Sequence, residues 1–446
     1  MSIPLRILLA VHHLPPRYRG GAEGFALRLA HTLAARGHSI QLVSVEHVDR
    51  GPREAAGWTD ETADGVEIRR LSFDLAAAPD ADLWEYDNPW VGGALQELIR
   101  RRRPDVFHLV GGYLMTGRAL RVAHEIGIPS VVSLTDYWFL CRRITMLRSD
   151  GSLSTTPIDP ATCARCLGEE QRRFRIPGKL APGLMQAFWR AQHRRLGSLQ
   201  ARNEFLASAL LGADALMSPS GFLRTMYRQA GFAADDFTVI THGPDLPRVP
   251  SSSNGQNDSP TLRIGYLGQI AWHKGIHVLI EAVRRLEGSP LSLRIYGDAG
   301  HFPEYARDLE RLSGTDPRIS MAGTYRGQAE LPSVLRDLDV VVVPSVWYEN
   351  CPNVILEAFA HRTPVIATDL GGMAEMVSHG RSGLLFRVGD AADLAAQLRR
   401  LLSEPGLLPA LRAGVPEVKT FADEVTEIEA VYRRVVEARA LAPALA

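Results

Sequence analysis

Residues 5–11 read LRILLAV, residues 20–24 read GGAEG, an amphipathic stretch runs from Phe25 to Arg36 and stops at Gly37, and residues 40–45 read IQLVSV. The first run is short, continuously apolar and followed by turn residues, the pattern of a strand buried on both faces. The glycine-rich turn then opens a helix and Gly37 closes it. Strand, helix and strand in this order make a βαβ unit, which implies parallel strands joined by a right-handed crossover. Working outward, further strands are expected at 66–71, 105–110, 130–134, 213–217, 262–267, 291–296, 318–321, 339–343 and 364–368. Helices are expected at 275–287, 303–313, 328–336, 353–361, 391–403 and 421–438.

Two stretches break the rhythm. Residues 141–202 hold three of the four cysteines, several prolines and many arginines, and read as an insertion with helices near 183–202 that continue to about Leu211. Residues 247–260, PRVPSSSNGQNDSP, are dominated by Pro, Ser, Asn and Gly, and read as a linker. A chain of 446 residues is too long for one ordinary core. The expected architecture is α/β, with two Rossmann-like, doubly wound parallel-sheet domains facing a central cleft. The N-terminal domain covers 1–245, the linker 246–260, the C-terminal domain 261–415, and a helix in 416–446 crosses back to the N-terminal domain.

Composition excludes several classes. The formal net charge is zero, so the bulk basic footprint of a nucleic-acid binder is missing and no nucleic acid is expected as a partner. Four cysteines do not build a disulfide scaffold. The apolar run at Ile7–Val11 is too short for a signal peptide, and no stretch has the roughly 18 apolar residues of a membrane span. The expected compartment is the cytoplasm, with the inner face of the membrane as a peripheral site.

The sharpest chemical constellation is Pro344-Ser345-Val346-Trp347-Tyr348-Glu349-Asn350-Cys351-Pro352-Asn353-Val354-Ile355-Leu356-Glu357-Ala358, directly after the valine run 340–343. Such a loop lies at the carboxyl end of a strand, where open α/β sheets bind ligands. Pro352 suits the first turn of a helix, with Asn350 or Cys351 at its cap. The helix start offers free N–H groups to polar or anionic atoms. Glu349 in the loop and Glu357 in the helix each accept two hydroxyl donors, so one can reach a sugar while the other reaches a ribose. The competing reading is a solvated pair of glutamates.

The Glu349–Glu357 pair resembles the E-x7-E motif of the retaining glycosyltransferases of family 4, whose fold is GT-B. Other pieces agree in order along nearly the whole chain. Gly20-Gly21 resembles the N-terminal glycine loop, and Gly268-Gln269-Ile270 through Lys274-Gly275 the donor loop. Gly323 with Tyr325 resembles the G-x-[FY] turn, and Gly371-Gly372 with Glu375 the G-G-x-x-E turn. The resemblance implies a nucleoside diphosphate sugar donor lying mostly on the C-terminal half. Lys274 would bind its diphosphate, Glu357 its ribose hydroxyls and Glu349 its sugar hydroxyls. Backbone amides around Asn350, with Ser345 and Cys351 beside them, and those of Gly20 and Gly21, would meet sugar and phosphate. No cofactor or metal is required. The acceptor is a glycan or a lipid-linked molecule.

Two positions depart from the family pattern. Gln269 stands where an arginine is usual, and Arg263 is the candidate to replace that cation. Thr135, in Ser133-Leu134-Thr135-Asp136-Tyr137-Trp138-Phe139-Leu140-Cys141, stands where a histidine is common. Asp136 is a candidate for a polar role near the reaction centre, so the catalytic candidates are Glu349, Asp136 and Lys274.

Other residues support competing readings. Cys141, Cys163 and Cys166 are candidates for a structural metal, with no fourth ligand evident, or are buried thiols. His12, His13 and His108 near strand ends either face the cleft or are satisfied histidines. Asp80-Ala81-Asp82 and Asp337-Leu338-Asp339 match D-x-D but lie in the wrong settings for a metal. Residues 171–202 mix arginines with Leu184, Phe188 and Trp189, as a helix on an anionic membrane surface does, or as a solvated helix does. Two functions remain beside glycosyl transfer: a nucleotide-sugar epimerase of the same fold, and a non-catalytic sugar-nucleotide binder. No G-x-G-x-x-G follows a strand, which disfavours a dinucleotide dehydrogenase.

Overall fold

Runs of valine, leucine and isoleucine become strands because both faces of a parallel sheet must be covered. Residues 340–343 show this directly. Val340 and Val342 enter one apolar cluster, and Val341 and Val343 enter another on the opposite face. The computed structural model describes residues 3–18, 20–234, 236–246, 261–325 and 327–441. The linker expected at 246–260 therefore lies, but for Leu246, outside the described residues.

The chain divides into two compact units, one of Met1–Pro219, Leu223–Ile240 and Val425–Ala446, the other of Ser220–Phe222 and Thr241–Glu424. In the first, the strands are β1 Arg6–Val11, β2 Ser39–His47, β3 Gly57–Ala63, β4 Val66–Ser72, β5 Val106–Val110, β6 Ser130–Ser133, β7 Ala215–Ser218 and β8 Phe237–Val239. They form one sheet of order β3-β4-β2-β1-β5-β6-β7-β8. All neighbours are parallel except β3, which runs antiparallel to β4 at the edge.

The second unit holds β9 Leu262–Leu267, β10 Leu291–Tyr296, β11 Ile319–Gly323, β12 Val340–Val343, β13 Val365–Thr368 and β14 Gly383–Phe386. They form an all-parallel sheet of order β11-β10-β9-β12-β13-β14. The boundary between units falls at 240/241 and not after 245. His242 Nδ1 and the Gly243 N–H both lie 2.8 Å from the Glu424 carboxylate, which holds this segment to the second unit. The last helix, Phe421–Leu441, gives its residues from Val425 onward to the first unit. There Tyr432 Oη lies 2.6 Å from His108 Nδ1 and Arg434 is bidentate on Asp236.

Several elements differ from the sequence expectations. The first helix spans Gly21–Ala35, four residues earlier than Phe25. Gly20 is its cap, the Gly24 N–H bonds the Gly20 carbonyl, and Glu23 in the first turn suits the positive helix end. The expectations contain no β3, β8 or β14. β3 is polar and exposed, so it carries no apolar run. Its signal is Asp64-Gly65, both at positive φ, which turns the chain back into β4. The helices Pro89–Arg102, Thr116–Ile126 and Gly221–Gln229 were also not expected. From Pro160 onward the insertion is helical, Pro160–Gly168, Arg172–Leu180, Pro182–Arg190 and His193–Leu211, while residues 141–159 before it are turns and irregular chain.

Candidate functional site

In the second unit β9 has β10 on one side and β12 on the other, so connections leave its carboxyl end in opposite directions. That is where an open sheet forms a crevice. Two loops meet there. One follows β9 through Gly268 and Gln269 to the short turn Trp272–Lys274 and the helix Ile276–Arg284. The other follows β12 from Pro344 to the helix Asn353–Ala360.

Gly275 locks the two loops together. Its φ is +70°, and a Cβ there would stand 1.9 Å from the Pro344 carbonyl oxygen. The Val346 N–H also donates to the His273 carbonyl at 2.9 Å. With the backbones in contact, Lys274 Nζ reaches Glu349 Oε1 at 2.7 Å. The same oxygen accepts from Ser345 Oγ at 2.7 Å and from Trp347 Nε1 at 2.8 Å. Among the described residues, every hydrogen bond to this carboxylate falls on Oε1, which leaves Oε2 available to a ligand. Glu349 is only 7% exposed. Burial pushes its carboxyl up, but the Lys274 charge and the three hydrogen bonds outweigh burial and hold it below its ordinary value. It is a carboxylate at neutral pH. Burial, helped by the Lys274 charge, pushes His273 down to about 4, so this neighbour is neutral.

A second glycine contact fixes the far end of the loop. The Gly372 N–H donates to the Glu349 carbonyl at 2.9 Å, and a Cβ on Gly372 would stand 1.8 Å from the Asn350 carbonyl oxygen. Asn350 and Cys351 follow Glu349 directly, and burial pushes the Cys351 thiol up to about 12. Pro352 is the helix cap, one position earlier than the first-turn role expected, and neither Asn350 nor Cys351 occupies the cap. The reason is the extended ψ of 113° at Pro352, which makes Asn353 the first helical residue. Glu357 sits half-buried in that helix. Burial, helped by the Glu357 charge, pushes Tyr325, the tyrosine of the G-x-[FY] turn, up to about 12. Gln269 is exposed, and its carbonyl accepts from Tyr266 Oη at 2.7 Å.

Arg263 does not replace the missing arginine. It lies at the opposite end of β9 from Gly268 and is bidentate on Asp339, at 2.9 and 3.1 Å. Arg412 bonds the same carboxylate at 2.8 Å, which accounts for the second D-x-D match as a structural ion cluster.

In the first unit the corresponding crossover lies between β1 and its neighbours β2 and β5. His12 follows β1, and its Nε2 is 3.2 Å from Glu23 Oε1 in the helix that begins at Gly21. Burial pushes Glu23 up, but the hydrogen bond and charge of His12 outweigh it and hold the carboxyl low. Asp136 follows β6. Its Oδ1 accepts from the Trp138 N–H at 2.7 Å and its Oδ2 from Thr135 Oγ1 at 3.4 Å. Burial raises the Asp136 carboxyl. Gly20 and Gly21 are the cap and first residue of the helix bearing Glu23. Sequence reasoning singled out neither Glu23 nor Trp347. The signal for Glu23 was a carboxylate in a first helical turn directly behind the paired glycines. His108 is no ligand candidate: it is fully buried between Tyr432 and Ser133 Oγ, and burial pushes it down to about 3.

Cys141, Cys163 and Cys166 line one small cavity with Ser154 and Thr162. Among the described residues no group of three or more His, Cys, Asp or Glu is arranged to hold a metal ion. Burial pushes the Cys163 thiol up to about 12 and raises Cys141, so these two are neutral thiols.

Comparison with known proteins bears on the family and the fold. Residues 19–248 match the family model "Glycosyltransferase Family 4", and residues 261–404 match "Glycosyl transferases group 1". The glycogen synthase of Mycobacterium tuberculosis is 25% identical over 413 residues, covering 90% of this chain and 87% of that one. A D-inositol 3-phosphate glycosyltransferase of Nocardiopsis dassonvillei is 25% identical over 464 residues, covering 99% of this chain and 97% of that one. The structure of Anabaena Alr3699/HepE in complex with UDP and glucose aligns with a TM-score of 0.63 at 16% identity, over 96% of this chain and 99% of that one. With two parallel-sheet α/β units and both family models matched, the chain belongs to the glycosyltransferases of family 4 and group 1 and has the GT-B fold.

Proposed function

We propose that this glycosyltransferase moves a hexose-type sugar from a nucleoside diphosphate sugar to an acceptor hydroxyl, with retention at the anomeric carbon, in the synthesis of a glycan, polysaccharide or glycolipid. The observation that carries the reading is the Lys274–Glu349 pair at the crossover of the second sheet, with one carboxylate oxygen saturated by three donors. An ammonium has three N–H donors. Glu349 takes one, and the others suit the oxygens of a diphosphate. Oε2 of Glu349 suits sugar hydroxyls, and Glu357 the ribose.

In this reaction the bond from the anomeric carbon to the diphosphate oxygen breaks while the bond to the acceptor oxygen forms on the same face. The acceptor proton passes to the departing phosphate oxygen. Lys274 and the amides before the helix Asn353–Ala360 stabilise the charge that develops there. Gly20 and Gly21 are the first unit's candidates for donor binding, and Asp136 is its catalytic candidate.

The test is a panel of nucleotide sugars incubated with and without candidate acceptors. Release of nucleoside diphosphate only with acceptor, and a product whose anomeric proton coupling matches the donor, are the expected results. Release without acceptor, with an altered free sugar, would establish an epimerase. Binding with no release under any condition would leave a carrier of sugar nucleotides.

A further inference from the structure

The four helices of the insertion share a small apolar centre of Ala164, Trp189 and Leu199, with Phe174, Met185 and Leu196 packed against it. That centre uses one face of the helices Arg172–Leu180 and Pro182–Arg190. On the remaining surface stand Ile176, Leu180, Leu184 and Phe188, at every fourth position, with exposures of 50, 81, 75 and 41%. Leu180 and Leu184 flank the junction at Ala181, so the most exposed side chains sit where the two helices meet. Single exposed apolar side chains need no explanation, but three aliphatics and a phenylalanine, the latter also packed on Phe174 and Trp189, do.

The charges around this row have one sign. Arg172, Arg173, Arg175, Lys179, Arg190 and Arg194 are exposed. No Asp or Glu occurs between Glu170 and Glu204, although the whole chain is neutral. Among the described residues none of the six is paired with a carboxylate, whereas Arg143 and Arg165 just before them pair with Glu170 and Glu169. Cations alone would suit a nucleic acid, whose phosphates need no aliphatic row beside them. Aliphatics ringed by unpaired cations fit the boundary between the headgroups and acyl chains of an anionic bilayer.

We propose that this helical pair docks the protein on an anionic phospholipid surface, with Ile176, Leu180, Leu184 and Phe188 entering the acyl boundary and the six cations meeting headgroup phosphates. The reading is independent of the donor site and goes beyond it.

The test uses the full chain, sedimented with vesicles of phosphatidylcholine alone and of phosphatidylcholine mixed with phosphatidylglycerol. Binding to the mixed vesicles is expected, with release towards about 1 M salt, where the screening length falls to about 3 Å. Replacing Arg172, Arg173 and Arg175 by Gln should weaken the partition by up to about five-fold per residue. Leu180→Glu with Leu184→Glu should weaken it at least about ten-fold by removing apolar insertion. Both variants should keep the wild-type unfolding midpoint and nucleoside diphosphate affinity, so a failure here leaves the transferase reading untouched. Equal recovery in the supernatant with both vesicle types overturns the proposal. So does undiminished binding of the leucine variant, which would reduce the effect to charge adsorption. A lipid-free dimer dispersed by the leucine substitutions would assign the face to a second copy, and vesicle-independent binding to RNA would assign the cations to nucleic acid.

Discussion

Replacing Glu349 by Gln tests the donor assignment most sharply, because the substitution keeps shape and removes charge. In the wild type one carboxylate oxygen accepts from Lys274 at 2.7 Å, Ser345 at 2.7 Å and Trp347 at 2.8 Å. A Gln amide oxygen can still accept from Ser345 and Trp347, so the loop should hold its shape. The charge that neutralises Lys274 is lost. A hydrogen bond to a charged group contributes about 1.5–3 kcal/mol, or roughly 10- to 150-fold in affinity. The intact donor, whose sugar loses its carboxylate partner, should bind weaker by about that factor. Free nucleoside diphosphate should bind no more weakly, and in direction more tightly, since Lys274 presents an uncompensated charge to its phosphates. The ratio of the two dissociation constants should therefore rise at least about ten-fold. Calorimetry with both ligands reads this ratio, and Lys274→Met supplies the opposite case, weakening both. If Glu349→Gln weakens donor and free nucleoside diphosphate equally, Glu349 only props the loop. If it changes neither, the pair lies outside the donor site and the proposed chemistry fails at its centre.

Four other outcomes follow from the same geometry. Glu357→Gln should weaken donor and free nucleoside diphosphate alike by about 10- to 150-fold, since both carry the ribose; unequal effects would move Glu357 off that sugar. Gly275→Ala forces a Cβ to within 1.9 Å of the Pro344 carbonyl at a φ of +70°. It should cost about 1–3 kcal/mol or more of stability and abolish nucleotide binding by parting Lys274 from Glu349; a wild-type melting curve and affinity would refute the packing argument. Tyr432→Phe strips His108 Nδ1 of its partner at 2.6 Å and should cost about 1–3 kcal/mol in urea unfolding. His108 itself titrates near 3 when folded and near 6.5 when unfolded. The unfolded chain therefore binds the proton first, and stability present above pH 6.5 is lost as pH falls towards 3, by about 1.4 kcal/mol per pH unit. Comparing His108→Gln with wild type between pH 7 and 5 should show a shallower loss in the variant; parallel curves would sink the assignment.

The elements most legible in the sequence are those whose residues carry a local period or run. Val340–Val343 reads as a strand covered on both faces, and the glycine pair behind Ile7–Val11 as a turn that leads into a helix. β3 carries no such run, because an exposed edge strand is polar, and its hairpin signal is confined to Asp64-Gly65. Pro89–Arg102 carried its helix signal in a cap, Asn88 accepting from the Trp90 and Val91 N–H groups with Pro89 behind it, and not in a clean apolar stripe. Arg263 shows the limit for charges. Its distance in sequence from Gln269 is small, but a strand separates them, and the partner it finds is Asp339, 76 residues away.

By itself, then, the sequence determined the alternation of strands and helices and the two-unit α/β architecture, because each is written in neighbouring side chains, while the choice of Lys274, Glu349 and Glu357 rested on their resemblance to a family pattern. Only the tertiary structure decided what those residues do to one another. Lys274 and Glu349 are 75 positions apart, and they meet because β9 and β12 are adjacent in the sheet and Gly275 lets their loops touch. Tyr432 and His108 are 324 apart, and they meet because the last helix packs on the first sheet. Such pairings rest on strand order and close backbone approach, and both are properties of the folded chain as a whole.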